Sequence, residues 1–273
     1  MKTIVLPTDF SDNALNAIEY AFELFKREKN EYVLLHTYMV YQAGEALVVS
    51  MNDVMREQAQ IQLDALKEKL EEKYGSELGV INTKVIFGDL VNGLRILNED
   101  QKIDYVVMGT KGASGVKKVV YGSNTADVIK NVALPIITVP EGYKFTAPKN
   151  IVLANDYHYE HDFEGIETLL YIVRKYQSSI AILNVEEEAV NLTMEEALEG
   201  LKLHEKLEGI NHTWETVINE TVEEGIKKYV AAKKPDMLAL IHHKRSFLEG
   251  IFHKSITKHL SFEIKIPMII LHD

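Results

Sequence analysis

The chain has 273 residues, 46% of them hydrophobic and 26% charged, which is typical of a globular protein long enough for about two domains. Its 41 acidic residues outnumber its 30 basic ones and leave a formal net charge of −11, which argues against a nucleic-acid partner and against docking on an anionic membrane. Cysteine is absent, so disulfides, thiolate metal sites and cysteine nucleophiles are excluded.

The apolar runs of this sequence are short. None approaches the roughly 18 residues that a transmembrane helix needs. The run near the start spans four residues and is followed by Pro7, which is too short for a secretory signal. We therefore expect a cytoplasmic protein that does not associate with membranes.

In the first half of the chain, apolar runs that suit buried strands alternate with stretches of helical periodicity. Strands are predicted at residues 2–6, 32–37, 85–87, 105–108 and 136–139. A first helix has its N-cap at Ser11 and an apolar face through Phe25, and further helices are predicted at residues 51–74, 90–100 and 123–131. The residues of the long second helix that we expect to face the core are Val54, Met55, Ile61, Leu63, Leu66 and Leu70. This alternation predicts a parallel sheet covered by helices on both faces.

The second half of the chain repeats the first. The stretch Thr3–Asp9 (TIVLPTD) aligns with Asn150–Asp156 (NIVLAND) at an offset of 147 residues. A second alignment, at an offset of 132, runs without gaps over residues 85–140 and pairs glycines, serines and prolines at corresponding positions. We predict two tandem domains, 1–142 and 149–273, joined by a short linker with a proline at each end.

A glycine-rich loop follows the fourth predicted strand. Ligands of parallel sheets bind beyond the carboxyl ends of the strands, where the strand order reverses. Gly112 and Gly122 allow close approach of the backbone, Ser123 is suited to cap the next helix, and Lys111 adds a cation, so a phosphate could bind here. The loop matches neither familiar phosphate-binding motif. On these grounds alone, a phosphate site and a plain glycine-rich turn are equally good interpretations.

The spacing of the glycines favours the first interpretation. Gly109, Gly112, Gly122 and Ser123 form the pattern G-x₂-G-x₉-G-[ST], which is similar to the ATP-binding signature of the universal stress protein family (UspA-like). The segment Pro7–Ser11 after the first strand also resembles that family. The resemblance covers residues 1–140 and, more weakly, 150–273. It implies an α/β fold of two tandem, open, five-stranded parallel-sheet units, Rossmann-like and of the adenine nucleotide alpha hydrolase-like type.

The resemblance also implies ATP, with Mg²⁺ as the accompanying cation, in a cleft where the strand order reverses. The adenosine end would be lined by Pro7–Asp9, and Thr37 stands where the family usually has an apolar contact with adenine. Lys111 stands where the family often has His or Arg. The full set of residues that the resemblance places around the nucleotide is Pro7, Thr8, Asp9, Thr37, Met108, Gly109, Lys111, Gly112, Gly122, Ser123, Asn124 and Thr125.

The second repeat lacks this glycine pattern. At the offset of 132 residues, Ile241, Lys244 and Lys254 replace the three glycines. Side chains at these positions should prevent the close backbone approach that a nucleotide requires. We therefore expect one nucleotide per chain, bound by the first repeat. Lys244, Arg245 and Lys254 are more simply interpreted as a solvated basic surface than as a second anion site.

Assembly and metal binding are less strongly indicated. In families of this type the last strand often pairs across a dimer, so residues 136–139 and 268–271 are expected to pair within the chain as an intrachain pseudo-dimer, which leaves homodimerisation open. Nine of the ten histidines lie beyond residue 157, but without the spacing of a known metal motif, and no metal site is predicted.

No catalytic triad, carboxylate pair or nucleophile motif is readable, so we predict no catalytic residues. The leading hypothesis is an ATP-binding regulatory protein of a stress response, acting through protein partners that the sequence does not identify. Two alternatives stay open. One is a slow ATP hydrolase on the same fold, and the other is an interaction scaffold without nucleotide.

Overall fold

The structure, a computed structural model, describes residues 1–39, 45–75, 79–110, 122–155, 165–186, 193–242 and 264–272, with the backbone alone for residues 45–50 and 242. The predicted site residues Lys111 and Gly112 lie outside the described residues, as do Lys244, Arg245 and Lys254 of the second repeat. The described residues form two compact units, the first up to Leu134 and the second from Pro135.

The first unit alternates strands and helices. Its elements are β1 (Thr3–Pro7), α1 (Asp12–Phe25), β2 (Asn30–Tyr38), α2 (Glu45–Tyr74), β3 (Gly79–Phe87), α3 (Leu90–Asp100), β4 (Tyr105–Gly109) and α4 (Ser123–Asn131). The strand order is β3-β2-β1-β4, and all of these strands are parallel. Each predicted strand and helix of this unit is confirmed, and β3 and α2 begin six residues earlier than predicted.

Helix α1 packs firmly against the sheet. Its predicted N-cap is confirmed, because the Ser11 hydroxyl accepts a hydrogen bond from the backbone N–H of Ala14 at 3.2 Å. Phe22 packs edge-on against Tyr32 of β2 with ring centroids 4.8 Å apart, and Phe25 packs against a tyrosine of β4. All of these rings are buried. This packing holds the last turns of α1 against the first residues of β2 and β4.

Two predictions about helices in this unit are wrong. Val54 and Ile61 of α2 do not face the core, since they are 51% and 62% exposed, whereas Leu63 is fully buried. Residues 61 and 63 are separated by about 200° around a helix, so both cannot face the same sheet. Ser123 is not the cap of α4. Gly122 takes that position, and its carbonyl accepts the hydrogen bond from the N–H of Ala126.

The second unit repeats this arrangement. Its elements are β5 (Ile136–Val139), β6 (Asn150–Ala154), α5 (Ile166–Tyr176), β7 (Ser179–Glu186), α6 (Met194–Lys206), β8 (His212–Ile218), α7 (Val222–Lys233), β9 (Met237–His242) and β10 (Met268–His272). The strand order is β5-β10-β9-β6-β7-β8. The order β9-β6-β7-β8 therefore reproduces the order β4-β1-β2-β3 of the first unit, as expected for a tandem repeat.

One strand pairing departs from the parallel pattern. Strand β5 runs antiparallel to β10, with Ile137 opposite Ile269, and both side chains are fully buried. The predicted pairing of residues 136–139 with 268–271 is thus confirmed.

The domain limits 1–142 and 149–273 follow the sequence repeat and stay a prediction. By its contacts, β5 belongs to the second unit. Within the ranges described, none of the helices has both the length and the hydropathy that crossing a bilayer demands.

Candidate functional site

A cavity of about 310 Å³ lies at the carboxyl ends of β1, β2 and β4. This volume is at the lower end of the range for small-molecule pockets. The strand order reverses at β1, which has β2 on one side and β4 on the other, so the cavity lies where open α/β sheets bind ligands. The residues that line it are Pro7, Thr8, Asp9, Ala14, Leu35, His36, Thr37, Leu90, Met108, Gly109, Gly122, Ser123, Asn124 and Thr125.

The cavity brings together ten of the twelve residues predicted from the sequence, and the other two, Lys111 and Gly112, lie outside the described residues. Sequence reasoning missed four lining residues. Leu35 and His36 precede Thr37 on β2, so the rule that ligands bind at strand ends could have indicated them. Ala14 and Leu90 lie in the first turns of α1 and α3 and carry no chemical signature.

The turn between β1 and α1 holds Asp9 in place. The backbone N–H of Thr8 donates to the carbonyl of Leu35 at 2.9 Å, and the Thr8 hydroxyl accepts from the N–H of Phe10 at 3.0 Å. One carboxylate oxygen of Asp9 accepts from both the N–H and the hydroxyl of Ser11, at 3.1 and 2.6 Å. These bonds stabilise Phe10 at a φ of +63°, a conformation that costs a non-glycine residue about 1–2 kcal/mol.

His36 is both a packed residue and a cavity residue. Its Nδ1 lies 2.8 Å from the carbonyl oxygen of Thr8, and its ring packs on Phe10 with centroids 4.7 Å apart. A carbonyl oxygen accepts hydrogen bonds and donates none, so Nδ1 carries the proton. In the neutral ring Nε2 is then an acceptor. The contact ties the end of β2 to the turn that carries Asp9.

The floor of the cavity is tightly packed where β4 ends. A Cβ atom on Gly109 would lie 2.4 Å from the side-chain Nδ2 of Asn13 and 3.1 Å from the Asn13 backbone carbonyl oxygen, so a side chain here would require the Asn13 amide to move. The hydroxyl of Thr125 donates to the carbonyl of Gly109 at 2.9 Å. Both Asn13 and Thr125 are buried. Thr125 therefore positions β4 relative to α4.

We expect Thr125→Val to lower the free energy of unfolding by about 1–2 kcal/mol, because the nearly isosteric change removes a buried hydrogen bond to the Gly109 carbonyl. Urea denaturation would measure the loss. Thr216→Val serves as the matched control, since Thr216 is exposed on β8 and its replacement should change stability by less than about 0.5 kcal/mol. Equal stability of Thr125→Val and the unaltered chain would contradict this positioning role.

The start of α4 presents unpaired backbone donors to the cavity. The N–H of Gly122 donates to the carbonyl of Thr110 at 2.7 Å, and among the residues that the structure describes no side chain caps the helix. The first N–H groups of a helix have no intrahelical partner, and the helix dipole makes this end attractive to anions. Ser123 and Asn124, in the first turn, line the cavity and are exposed. The arrangement suits a phosphate group.

The second unit differs at the corresponding position. Ile241 stands where the first repeat has Gly109, and its side chain is buried at the end of β9. A cavity of about 260 Å³ in this unit lies instead by the first residues of β6, β7 and β8. In that cavity Lys233 pairs with Glu215 at 3.2 Å, and burial together with the Glu215 carboxylate raises the pKa of Tyr229 to about 12. The charged side chains of this cavity, Lys233 and Glu215, thus pair with each other.

Comparison with known families and curated proteins gives a consistent result. The model of the universal stress protein family matches residues 1–140 and 164–272. Universal stress protein MJ0531 of Methanocaldococcus jannaschii is 31% identical over 147 residues, which cover 52% of this chain and 84% of that protein. Universal stress protein MJ0577 of the same organism is 27% identical over 158 residues, which cover 50% of this chain and 94% of that protein.

Solved structures resemble the whole chain. A universal stress protein from Archaeoglobus fulgidus superimposes with a TM-score of 0.73 at 19% identity, covering 99% of this chain and 98% of that one. A putative universal stress protein from Pseudomonas aeruginosa gives a TM-score of 0.60 at 10% identity, covering 100% and 93%. At such low identity the likeness establishes the fold and leaves ligands to be argued from the site.

Proposed function

Because the chain belongs to the universal stress protein family, with both repeats matched, we propose that it is a regulatory ATP-binding protein with one nucleotide site, in the first unit. The observation that supports this most directly is the cavity at the ends of β1, β2 and β4. It combines the uncapped start of α4 with glycines at two of the signature positions, Gly109 and Gly122.

The described lining offers two kinds of surface, and ATP requires both. Leu35, Leu90 and Met108 provide apolar surface that suits a base. Ser123 and Asn124 bring backbone N–H groups that suit phosphate oxygens. We place the adenosine end over β1 and β2, where Thr37 lies, and the phosphates at the start of α4.

Asp9 is the acidic residue of the described lining and would hold Mg²⁺ directly or through water. Bound Mg²⁺ would neutralise part of the phosphate charge. Catalysis of phosphoryl transfer depends mainly on positioning and charge neutralisation around the γ-phosphate. The described lining offers one carboxylate, and one of its oxygens is engaged by Ser11, so the geometry favours binding over rapid hydrolysis. We expect at most slow ATPase activity.

A regulatory function implies a partner that distinguishes the loaded protein from the empty one. The cavity is close to the surface, with Asp9, Ser123 and Asn124 all exposed, so a bound nucleotide would change the charge of this face of the first unit. A protein partner could bind this face with different affinity before and after that change of charge. Such partners are part of the proposal, and pull-down with and without ATP would identify them.

The decisive experiment is a nucleotide count. The freshly purified chain is denatured, the released small molecules are identified by mass spectrometry, and ATP·Mg²⁺ binding to the emptied protein is followed by calorimetry. We expect about one ATP per chain in both measurements, since Ile241 and the two lysines replace the signature glycines in the second repeat.

Each other outcome changes the conclusion in a defined way. Two nucleotides per chain would contradict the single-site proposal. ADP or AMP in place of ATP, together with turnover that disappears in Asp9→Ala, would favour the slow hydrolase. A chain that carries no nucleotide and ignores added ATP·Mg²⁺ would refute nucleotide binding and leave an interaction scaffold as the better explanation.

A further inference from the structure

Two histidines of the second unit meet at the end of α6 and the start of β8. Nδ1 of His204 lies 3.0 Å from Nε2 of His212, and the ring centroids are 5.0 Å apart. His204 is exposed and His212 is half-buried, so solvent reaches the pair. These residues play no part in the candidate nucleotide site of the first unit. We propose that His204 and His212 form a binding site for a divalent late transition metal, Cu²⁺ above all.

The proton positions on the two rings suit metal binding. Nδ1 of His212 lies 2.8 Å from the carbonyl oxygen of Ile210 and must donate to it, which leaves a lone pair on Nε2. Metal-binding histidines commonly fix the second ring nitrogen in this way, by donation to a backbone carbonyl. In the metal-free protein, Nδ1–H of His204 donates to that lone pair. When a metal binds at Nδ1, this proton is replaced by one on the exposed Nε2 of the same ring, and both rings stay neutral.

The backbone holds the two rings together. Leu203 on the last turn of α6 and Leu207, the residue after the helix, are fully buried. The turn that follows is closed by a hydrogen bond from the N–H of Ile210 to the carbonyl of Leu207 at 3.0 Å. The first residue of β8, His212, is paired with Ile180 of β7. Little ordering of the backbone would accompany metal binding, so the site is largely preformed.

The separation of the nitrogens favours copper geometry. With metal–nitrogen bonds of about 2.0–2.1 Å, two adjacent ligands of a square-planar ion lie about 2.9 Å apart, whereas two ligands of a tetrahedral ion lie about 3.3–3.4 Å apart. The observed 3.0 Å is close to the square-planar value, and rotation of the exposed His204 ring would turn its Nδ1 lone pair toward the ion while His212 keeps its bond to Ile210. Copper also has the highest affinity among the divalent first-row metals for nitrogen ligands.

The site would be open and exchangeable. Among the residues that the structure describes, no group of three or more His, Asp or Glu is arranged to hold a metal, so water completes the coordination of the ion. Such a two-imidazole site is unlike the closed four-ligand sites that hold structural zinc. A bound ion would link the end of α6 to the first residue of β8. It would also leave coordination positions open to a ligand from solution.

The test uses the full chain, freed of metal with a chelator and then titrated with Cu²⁺ supplied as a weak glycine complex. We expect one strong site per chain, whose pulsed electron paramagnetic resonance spectrum shows two imidazole nitrogens. His204→Ala and His212→Asn should each weaken Cu²⁺ binding by at least about tenfold, since even the loss of an outer-shell partner costs 10–100-fold. In each variant, the spectrum should show at most one coordinated imidazole from this pair.

Two controls make the result specific to the pair. His272→Ala removes a histidine on β10 and should leave the affinity for Cu²⁺ unchanged. Gly122→Val, in the first unit, should likewise leave it unchanged, which separates this proposal from the proposed nucleotide function. Unchanged affinity and an unchanged two-imidazole spectrum in His204→Ala would overturn the proposal, as would the lack of a two-imidazole copper signal in the unaltered chain.

Discussion

Gly122→Val is expected to weaken ATP binding by at least about 100-fold. The valine side chain would stand at the start of α4, beside the N–H groups of Ser123 and Asn124 that line the cavity. Charge-assisted hydrogen bonds are worth about 1.5–3 kcal/mol each, so excluding a phosphate from one or two of them accounts for about 3 kcal/mol. That energy corresponds to the expected loss of affinity. Calorimetric titration with ATP·Mg²⁺ would measure it.

The same variant should fold normally. Gly122 has a φ of −58° and a ψ of 152°, which any residue adopts without strain. Valine is a poorer N-cap than glycine, so a loss of about 1 kcal/mol of stability is expected. Thermal unfolding of the variant would verify that the fold survives.

Lys254→Val is the matched control for Gly122→Val, because residue 254 is its equivalent in the second repeat and should not influence ATP binding. Gly112→Val, at the signature position outside the described residues, carries the same expectation as Gly122→Val. Full ATP affinity in Gly122→Val would contradict the assignment of the site. Loss of ATP binding in Lys254→Val with the fold intact would contradict the assignment to the first unit.

The fold could be predicted from the sequence largely because its strands are continuous apolar runs. Such runs at residues 2–6 and 105–108 have few alternatives to buried parallel strands, and both strands are confirmed within one residue. The buried face of helix α2 was harder to predict, because apolar residues occur on more than one side of this helix. Burial of Leu63 therefore leaves Ile61 exposed, and the sequence offers no local signal for that choice.

The residues around the cavity were predicted from their match to the motif of the universal stress protein family, and part of that motif has a physical reason. Glycines at fixed spacing and a polar turn after β1 indicate the ends of strands, and those positions converge in three dimensions because parallel strands end at one edge of the sheet. Leu90 contributes only apolar surface and has no such signal. The approach of His204 to His212 has no such signal either, because it depends on a turn that brings the end of α6 back to the start of β8.

Gly109→Ala is expected to lower the free energy of unfolding by about 1–3 kcal/mol, as for other overpacked buried sites. The new methyl group would lie 2.4 Å from Nδ2 and 2.8 Å from Cγ of Asn13. Asn13 is buried in the first turn of α1, so its amide would have to shift among packed neighbours to make room. Urea denaturation would measure the loss.

A double-mutant cycle tests whether Asn13 is the cause. Asn13→Ala removes the amide that the new methyl group meets, so the double variant should be more stable than the sum of the single effects by at least about 1 kcal/mol. Asn16→Ala, three residues further along α1, is the control and should combine additively with Gly109→Ala. Additive effects for Asn13 as well would contradict the packing explanation. If the double variant folds but does not bind ATP, glycine is needed at this position for the ligand and not only for the contact between α1 and β4.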